Sequence, residues 1–278
     1  MASINLGPLS FSVPLFLAAI TLVVMLVAGW LVDRRHGTRV ETIVWQAAFT
    51  CLFVGRAVFI LQYFQIYAQR PLSMLDLRDG GFSLGAGLAA GVAIIALKLW
   101  RHAASRQGVL GSLAAGASAL GMAYAALVLW HPQQTVLASV PMQTLSGDAI
   151  STHDFHGKPT VINLWATWCP PCRREMPVFE AGQANNPDVN FVFANQREAG
   201  AVVEAWLSEE GLLLDNVLLD PTGRLADQVN SRGLPTTLFL DPAGRLVDVR
   251  MGELSSATLQ DRLNALRRSA AFSGPRKD

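Results

Sequence analysis

Hydrophobic residues are spread unevenly along this chain. From Phe11 to Val32 there are 22 consecutive residues without a charge, and about 20 helical residues cross a hydrocarbon core of about 30 Å. Three more long apolar stretches follow, Ile43 to Gln62, Phe82 to Trp100 and Gly108 to Trp130. The pattern therefore predicts four membrane-spanning helices. A cleaved signal peptide does not fit the first of them, because no Lys or Arg precedes Asp33 and the apolar run is too long. Beyond Trp130 a short connector, His131 to about Leu145, leads into a different texture, where short β-rich runs alternate with amphipathic ones. Strands are predicted at Thr160–Ala166, Val189–Ala194, Val217–Leu219, Thr236–Leu240 and Arg245–Met251, and helices at Ala199–Glu210, Arg224–Val229 and Ser256–Arg268. This alternation predicts a small α/β sandwich with a mixed sheet. The expected plan is a helical membrane bundle over residues 1–131, an α/β domain over 132–269 and a disordered tail over 270–278.

Charge sharpens the division. The 278 residues are 51% hydrophobic and only 15% charged, against about 25% charged in a typical soluble domain. Residues 1–138 carry 9 Lys and Arg against 4 Asp and Glu, while residues 139–278 carry 13 against 17. The two halves are built for different solvents. The composition excludes a disordered chain, a collagen-like repeat and a disulfide-dense scaffold, and 3 cysteines exclude a multi-thiolate cluster. Lys and Arg are retained on the cytoplasmic side of a membrane. They collect after the first span, at Arg34, Arg35 and Arg39, and after the third, at Lys98, Arg101 and Arg106. In the second link Arg70 and Arg78 are balanced by Asp76 and Asp79. Both termini are therefore expected outside the cytoplasm, on the periplasmic face of a bacterial inner membrane.

Three features of the spans bear on function. Gly85, Gly87, Gly91, Gly111, Gly116 and Gly121 make the third and fourth helices small-faced, with Gly87 and Gly91 in a spacing that favours close packing in lipid. Arg56 lies within the second span, where an unpartnered charge costs several kcal/mol; it marks either a functional site or an interfacial Arg beside Tyr63 and Tyr67. Cys51 lies mid-span without a second thiol, so the membrane half has no dithiol relay of its own, and buried cysteines are most often inert.

The segments Gly55-Arg-Ala-Val-Phe-Ile-Leu, Tyr67-Ala-Gln-Arg-Pro-Leu-Ser-Met-Leu and Asp79-Gly-Gly-Phe-Ser-Leu-Gly-Ala-Gly resemble the N-terminal part of bacterial prolipoprotein diacylglyceryl transferases. Leu84 stands where that family has a functional His, Ala86 where it has a Gly, and the later spans are missing. The resemblance implies a partial, repurposed membrane module rather than a transferase.

In the second half, Thr167-Trp-Cys-Pro-Pro-Cys-Arg-Arg-Glu-Met-Pro177 follows directly on the predicted strand Thr160–Ala166. A Cys-x-x-Cys at a strand–helix junction puts its first cysteine at a helix N-terminus, where free N–H groups and the helix dipole favour the thiolate, the attacking species in disulfide exchange. Taken alone, the same spacing also fits half of a zinc site. No phosphate-binding loop, dinucleotide fingerprint or Ser/His constellation occurs, and no basic-aromatic patch suggests nucleic acid. No cofactor is implied.

Trp168-Cys-Pro-Pro-Cys172, Pro177 and Gly233-Leu-Pro-Thr-Thr237, in this order, together with the extra βα unit of Val189 to Glu210, resemble the TlpA/ResA-like thioredoxin proteins. The resemblance implies a thioredoxin-like fold and a membrane-tethered thiol–disulfide oxidoreductase whose redox pair is Cys169 and Cys172. It implies that Pro235 is cis, that the Leu234 backbone pairs with the substrate chain, and that Trp168 shapes the groove. It favours the reducing direction, with exported protein disulfides as substrates: cytochrome c apoproteins, lipoprotein cysteines or periplasmic proteins in general. Thioredoxin itself has a buried acid where Asn163 stands. Glu175, one turn after Cys172, matches an acidic residue of ResA-like members and is expected to take the Cys172 proton, unless it is a surface Glu capping the helix. With Cys51 isolated, a DsbD- or CcdA-like membrane carrier is the expected electron donor. A copper-handling alternative would add His153 and His156 to the two cysteines.

Overall fold

A computed structural model of the chain describes residues 3–6, 9–68, 71–76, 79–101, 106–130 and 136–272. It divides into two compact units, Val13–Pro132 on one side and Met1–Ser12 with Gln133–Asp278 on the other. A small antiparallel hairpin, β1 (Ser3–Leu6) and β2 (Leu9–Ser12), opens the chain.

The first unit holds α1 (Val13–His36), α2 (Val40–Gln62), the short α3 (Phe64–Ala68), a 3₁₀ turn at Pro71–Leu75, α4 (Leu84–Arg101) and α5 (Arg106–Trp130). Among the described residues, four of these helices are long and apolar enough to cross a membrane. The expected span limits shift for local reasons. Phe11 and Ser12, expected in the first span, belong to β2, and the helix starts where Pro14, which has no N–H to donate, sits in the first turn. At its other end α1 takes in Asp33, Arg34 and Arg35. Arg34 lies over the Trp30 ring, and the Asp33 carboxylate accepts from the N–H groups of Val40 and Glu41, satisfying free donors at the start of α2. Gly87 and Gly91 face α2: a Cβ at Gly87 would sit 2.6 Å from the Cys51 carbonyl oxygen, and one at Gly91 would touch Ala47 and Cys51. Gly116 is similarly covered, by Met25 of α1. Gly85, Gly111 and Gly121 have open space around them, so the small face is narrower than the sequence suggests.

The second unit is an α/β sandwich. Its elements are β3 (Pro141–Thr144), β4 (Ala149–Ser151), a 3₁₀ turn at Thr152–Phe155, β5 (Thr160–Trp165), α6 (Pro170–Asn185), β6 (Asn190–Gln196), α7 (Gly200–Glu210), β7 (Val217–Asp220), α8 (Arg224–Gln228), β8 (Thr236–Leu240), β9 (Leu246–Met251) and α9 (Ser256–Phe272). The sheet order is β4-β3-β7-β6-β5-β8-β9, with β5, β6 and β7 parallel and the remaining pairs antiparallel. Successive strand residues point to opposite faces, and here both faces are apolar. Val161, Trp165, Phe191, Phe193 and Phe239 join α6, α7 and α9 in one core, while Ile162, Leu164, Val192, Ala194, Leu238 and Leu240 join Leu225 of α8 in the other. By the same alternation Asn163 shares the face of Val161 and Trp165, opposite Thr237 of β8, and this polar pair is fully enclosed.

Two expectations are corrected. The stretch expected to be a connector as far as Leu145 contains β3, which pairs with both β4 and β7. The last helix runs on to Phe272 rather than ending at Arg268, because Ser269, Ala270 and Ala271 contain no breaker. The rest of the expected tail lies outside the described residues, as do residues 131–135 of the connector.

Candidate active site

β5 pairs in parallel with β6 and antiparallel with β8, and is buried along its whole length. The chain leaves its C-terminal end at Ala166, where ligand and catalytic sites of parallel sheets collect. The Cys169 N–H donates to the Ala166 carbonyl at 3.2 Å, closing a turn whose two central residues are Thr167 and Trp168. Trp168 is 67% exposed at its tip. Cys169 then caps α6, with Pro170 and Pro171 as the first helical residues. Proline loses nothing there, since first-turn N–H groups have no helical partner.

Cys169 and Cys172 form a disulfide, their Cα atoms 5.3 Å apart. The Cys172 N–H donates to Cys169 Sγ at 3.3 Å, so a free helix-terminal donor is aimed at the sulfur that a thiolate would occupy. Cys169 is 4% exposed and Cys172 is fully enclosed. Cys172 is therefore shielded, and Cys169 is the sulfur a partner reaches first.

Glu175 follows one turn later and is fully buried, so it is not a surface cap. Its carboxylate accepts from Asn163 Nδ2 at 2.8 Å and from the Leu254 N–H at 3.0 Å. Asn163 Nδ2 also donates to Thr237 Oγ1 at 3.2 Å. Burial pushes the Glu175 carboxyl up from an ordinary 4.5 to about 8; the two hydrogen bonds and the Arg250 charge oppose the shift, and the Glu253 charge adds to it. Desolvation wins because no cation forms an ion pair with it among the described residues. A carboxyl poised near neutral pH is suited to exchange a proton.

Antiparallel pairing of β8 with β5 puts Thr236 opposite Leu164. The preceding Leu234-Pro235 peptide bond, which is cis, is thereby brought to the strand end from which the Cys-Pro-Pro-Cys turn departs. Pro235 is buried, and Leu234 packs on the same core cluster as both cysteines.

The other candidates lie elsewhere. His153 and His156 stack on one another with ring centroids 3.9 Å apart, and His156 lies over the Gly244 turn. They precede the N-terminal end of β5, while the cysteines follow its C-terminal end. The 6 residues between, at about 3.3 Å each, keep the imidazoles from joining the thiols as copper ligands. In the helical unit Arg56 is buried and lies over the Tyr67 ring, 5.4 Å from its centroid. It donates to Asp79 Oδ1 and the Gly81 carbonyl, both at 2.9 Å, and to the carbonyls of Met74 and Asp76; Tyr67 donates to Asp79 Oδ2 at 2.7 Å. This network ties the 3₁₀ turn to α2. Leu84 is the exposed first residue of α4, and Cys51 is a free thiol against Gly87.

One polar cluster beside the cysteines had no signal in the sequence. Glu198, in the link between β6 and α7, accepts from the Thr167 N–H at 2.7 Å, from Thr167 Oγ1 at 2.5 Å and from Asn195 Nδ2 at 2.7 Å. Its partner Thr167 is 31 residues away, beyond the reach of any local pattern.

Comparison with known proteins converges on the same half. Residues 134–249 match the model of the AhpC/TSA family. The chain is 36% identical over 129 residues to the thioredoxin-like protein YneN of Bacillus subtilis, covering 44% of this chain and 74% of that protein. The chain belongs to the thioredoxin-like thiol–disulfide oxidoreductases. It is likewise 31% identical over 125 residues to the thiol:disulfide interchange protein DsbE of Pseudomonas fluorescens, covering 45% of this chain and 69% of that one. With the thiol-disulfide oxidoreductase ResA of Halalkalibacterium halodurans it shares 28% identity over 131 residues, 46% of this chain and 74% of the relative. In this thiol–disulfide oxidoreductase the thioredoxin-like unit is preceded by the four apolar helices.

Proposed function

We infer that this oxidoreductase is membrane-anchored and reduces disulfides of exported proteins through Cys169 and Cys172. The observation that carries the reading is the asymmetry of the pair: Cys169 at the helix N-terminus behind an exposed Trp168, Cys172 enclosed with a buried acid one turn away. In the dithiol form, the Cys169 thiolate attacks one sulfur of the substrate disulfide. That S–S bond breaks, a substrate thiolate leaves and takes up a proton, and a mixed disulfide forms on Cys169. Cys172 then gives its proton to the Glu175 carboxylate and attacks Cys169 Sγ, releasing the second substrate thiolate. Two electrons pass to the substrate, and the protein is left with the Cys169–Cys172 disulfide and a proton on Glu175. A neutral Glu175 in the disulfide form agrees with a carboxyl raised to about 8. Trp168, the Leu234 backbone and Pro235 are read as the groove that receives the substrate chain.

The helical half is read as a four-span anchor related to a partial prolipoprotein diacylglyceryl transferase, over residues 1–131, with both chain ends periplasmic and the oxidoreductase domain over 132–269. Its lone Cys51 provides no relay, so resetting the disulfide falls to an outside dithiol donor in the membrane, of the DsbD or CcdA kind.

A Cys172→Ala variant expressed in cells is expected to accumulate mixed disulfides on Cys169 that dithiothreitol releases and that Cys169→Ala abolishes. Failure to trap any partner would overturn the reading. A reduction potential in the range of strong oxidants, about −120 mV, would overturn the direction. For the topology, a cysteine at Ser146 should be labelled by an impermeant maleimide in intact cells and one at Thr38 should not; the reverse pattern would invert the orientation.

A further inference from the structure

We propose that Glu198 is a positioning residue for disulfide exchange: its carboxylate holds the Thr167–Trp168 turn that presents Cys169. It thereby makes the β6–α7 unit part of the active-site frame. The proposal rests on the oxidoreductase reading but on different residues.

Three donors from two elements converge on this carboxylate. The Thr167 N–H and Asn195 Nδ2 meet Oε2, both at 2.7 Å, and Thr167 Oγ1 meets Oε1 at 2.5 Å. Thr167 is thus gripped by both backbone and side chain, two residues before the attacking sulfur. Hydrogen bonds to an ionised acceptor are among the stronger ones available to a side chain. The chain also accepts strain to place Glu198 there. The preceding Arg197 has φ 63°, a left-handed conformation that L side chains rarely adopt. Its N–H is tied to the Asp220 carbonyl of β7 at 3.1 Å. Strain of this kind persists where surrounding contacts over-determine it and clusters at functional sites.

The role assigned is geometric rather than electrostatic. A negative charge near Cys169 disfavours its thiolate, so Glu198 does not activate the nucleophile by its charge. Glutamine can reproduce the grip: its oxygen can replace Oε2 and accept from the Thr167 N–H and Asn195, while its amide N–H donates to Thr167 Oγ1. Alanine can replace none of these bonds.

The test uses the full-length protein, with dithiothreitol-driven insulin reduction as the activity and hydrogen exchange of the Ala166–Cys169 amides as an activity-independent readout. Glu198→Ala is expected to speed exchange in that segment and to lower kcat/KM by at least about tenfold, on the scale where a displacement of about 1 Å costs about 100-fold. Glu198→Gln is expected to restore both within about threefold. Val192→Ala, a core truncation on the opposite face of β6, controls for lost stability and should leave exchange at Ala166–Cys169 unchanged. The proposal is overturned if Glu198→Ala leaves the exchange of that segment at the wild-type rate. It is equally overturned if Glu198→Gln is as impaired as Glu198→Ala, or if Val192→Ala reproduces the alanine phenotype. Loss of insulin reduction in the wild type would instead overturn the oxidoreductase reading, with the exchange data still deciding the role of Glu198.

Discussion

Glu175 gives the second unit a pH dependence of unusual sign for a carboxylate. In the unfolded chain it titrates near its ordinary 4.5, whereas in the folded disulfide form burial raises it to about 8. The native state therefore binds a proton that the unfolded state has released, and stability falls as pH rises through this window. Each tenfold change in proton affinity is worth about 1.4 kcal/mol, so the loss approaches about 5 kcal/mol. It is absent below pH 4.5 and complete above pH 8. This is a large share of a domain stability of about 5–15 kcal/mol. Asp154, held low by the Ser151 N–H, and Asp188, held low by Arg267, contribute with the opposite sign. Their effect is lost only as pH falls through the acid range, so they leave the window clear.

The assay is urea unfolding of the oxidised full-length protein at a series of pH values from 5 to 9, compared with Glu175→Gln. Replacing Trp30, Trp45, Trp100 and Trp130 by Phe leaves Trp165, Trp168 and Trp206 to report on the thioredoxin-like unit alone. Wild-type midpoints should fall steadily from pH 5 to 8, while those of Glu175→Gln stay nearly level, so that the variant becomes the more stable protein at alkaline pH. A difference between the two that does not change with pH would refute a buried, proton-holding Glu175. A difference of the opposite slope would mean that the donors Asn163 and Leu254 outweigh desolvation.

Other outcomes follow from single contacts. Asn163→Leu removes a donor to the Glu175 carboxylate and should move the midpoint of its titration to higher pH, read from the carboxylic C=O infrared band. Arg56→Ala removes the cation paired with the buried Asp79 and a donor to the carbonyls of Met74 and Asp76. On the scale of a broken buried pair, about 3–5 kcal/mol, it should sharply lower the amount of folded protein recovered, and Arg56→Lys should restore little of it. Gly87→Val places side-chain atoms where a Cβ would already lie 2.6 Å from the Cys51 carbonyl oxygen, and should lower the thermal midpoint of the helical unit far more than Gly85→Val, whose site is open. Cys169→Ser should abolish insulin reduction.

The sequence made the apolar helices legible because charges bracket them, and their ends moved for local reasons, such as the β2 strand ahead of α1 and the Asp33 carboxylate at the start of α2. β6 and β8 were legible because each carries a run that is apolar on both faces, residues 191–194 and 238–240. β3 and β4 were not: they are 4 and 3 residues long, too short for alternation to register, and Met142 is the one fully buried side chain on them. The cysteines, Trp168 and Glu175 could be found by spacing along one helix start. The burial that gives Glu175 its chemistry could not, since the Leu254 N–H that meets it comes from 79 residues further on. Glu198 escaped for the same reason, its role being created by the side-by-side pairing of β5 and β6. Conversely, His153 and His156 looked close to the cysteines in sequence, and an intervening strand carries them to the opposite end of the sheet.

Arg56 and Glu175 pose one problem, a titratable side chain out of water, and the chain resolves it in two ways. Around Arg56 everything supplied is an acceptor: one carboxylate and several carbonyls, with Tyr67 holding the carboxylate in turn. Acceptors on both terminal nitrogens hold the guanidinium in one place, which is what a staple between a helix and a loop requires. Around Glu175 the two contacts are N–H donors, sufficient to orient a carboxylate but without a paired cation to offset its desolvation. Its two protonation states are therefore brought close in energy near neutral pH. A group that must hand a proton to or from Cys172 needs that near-balance. Adding a cation beside Glu175 would stabilise the fold at alkaline pH while slowing return of the proton, so alkaline stability and turnover should oppose one another in variants of this site.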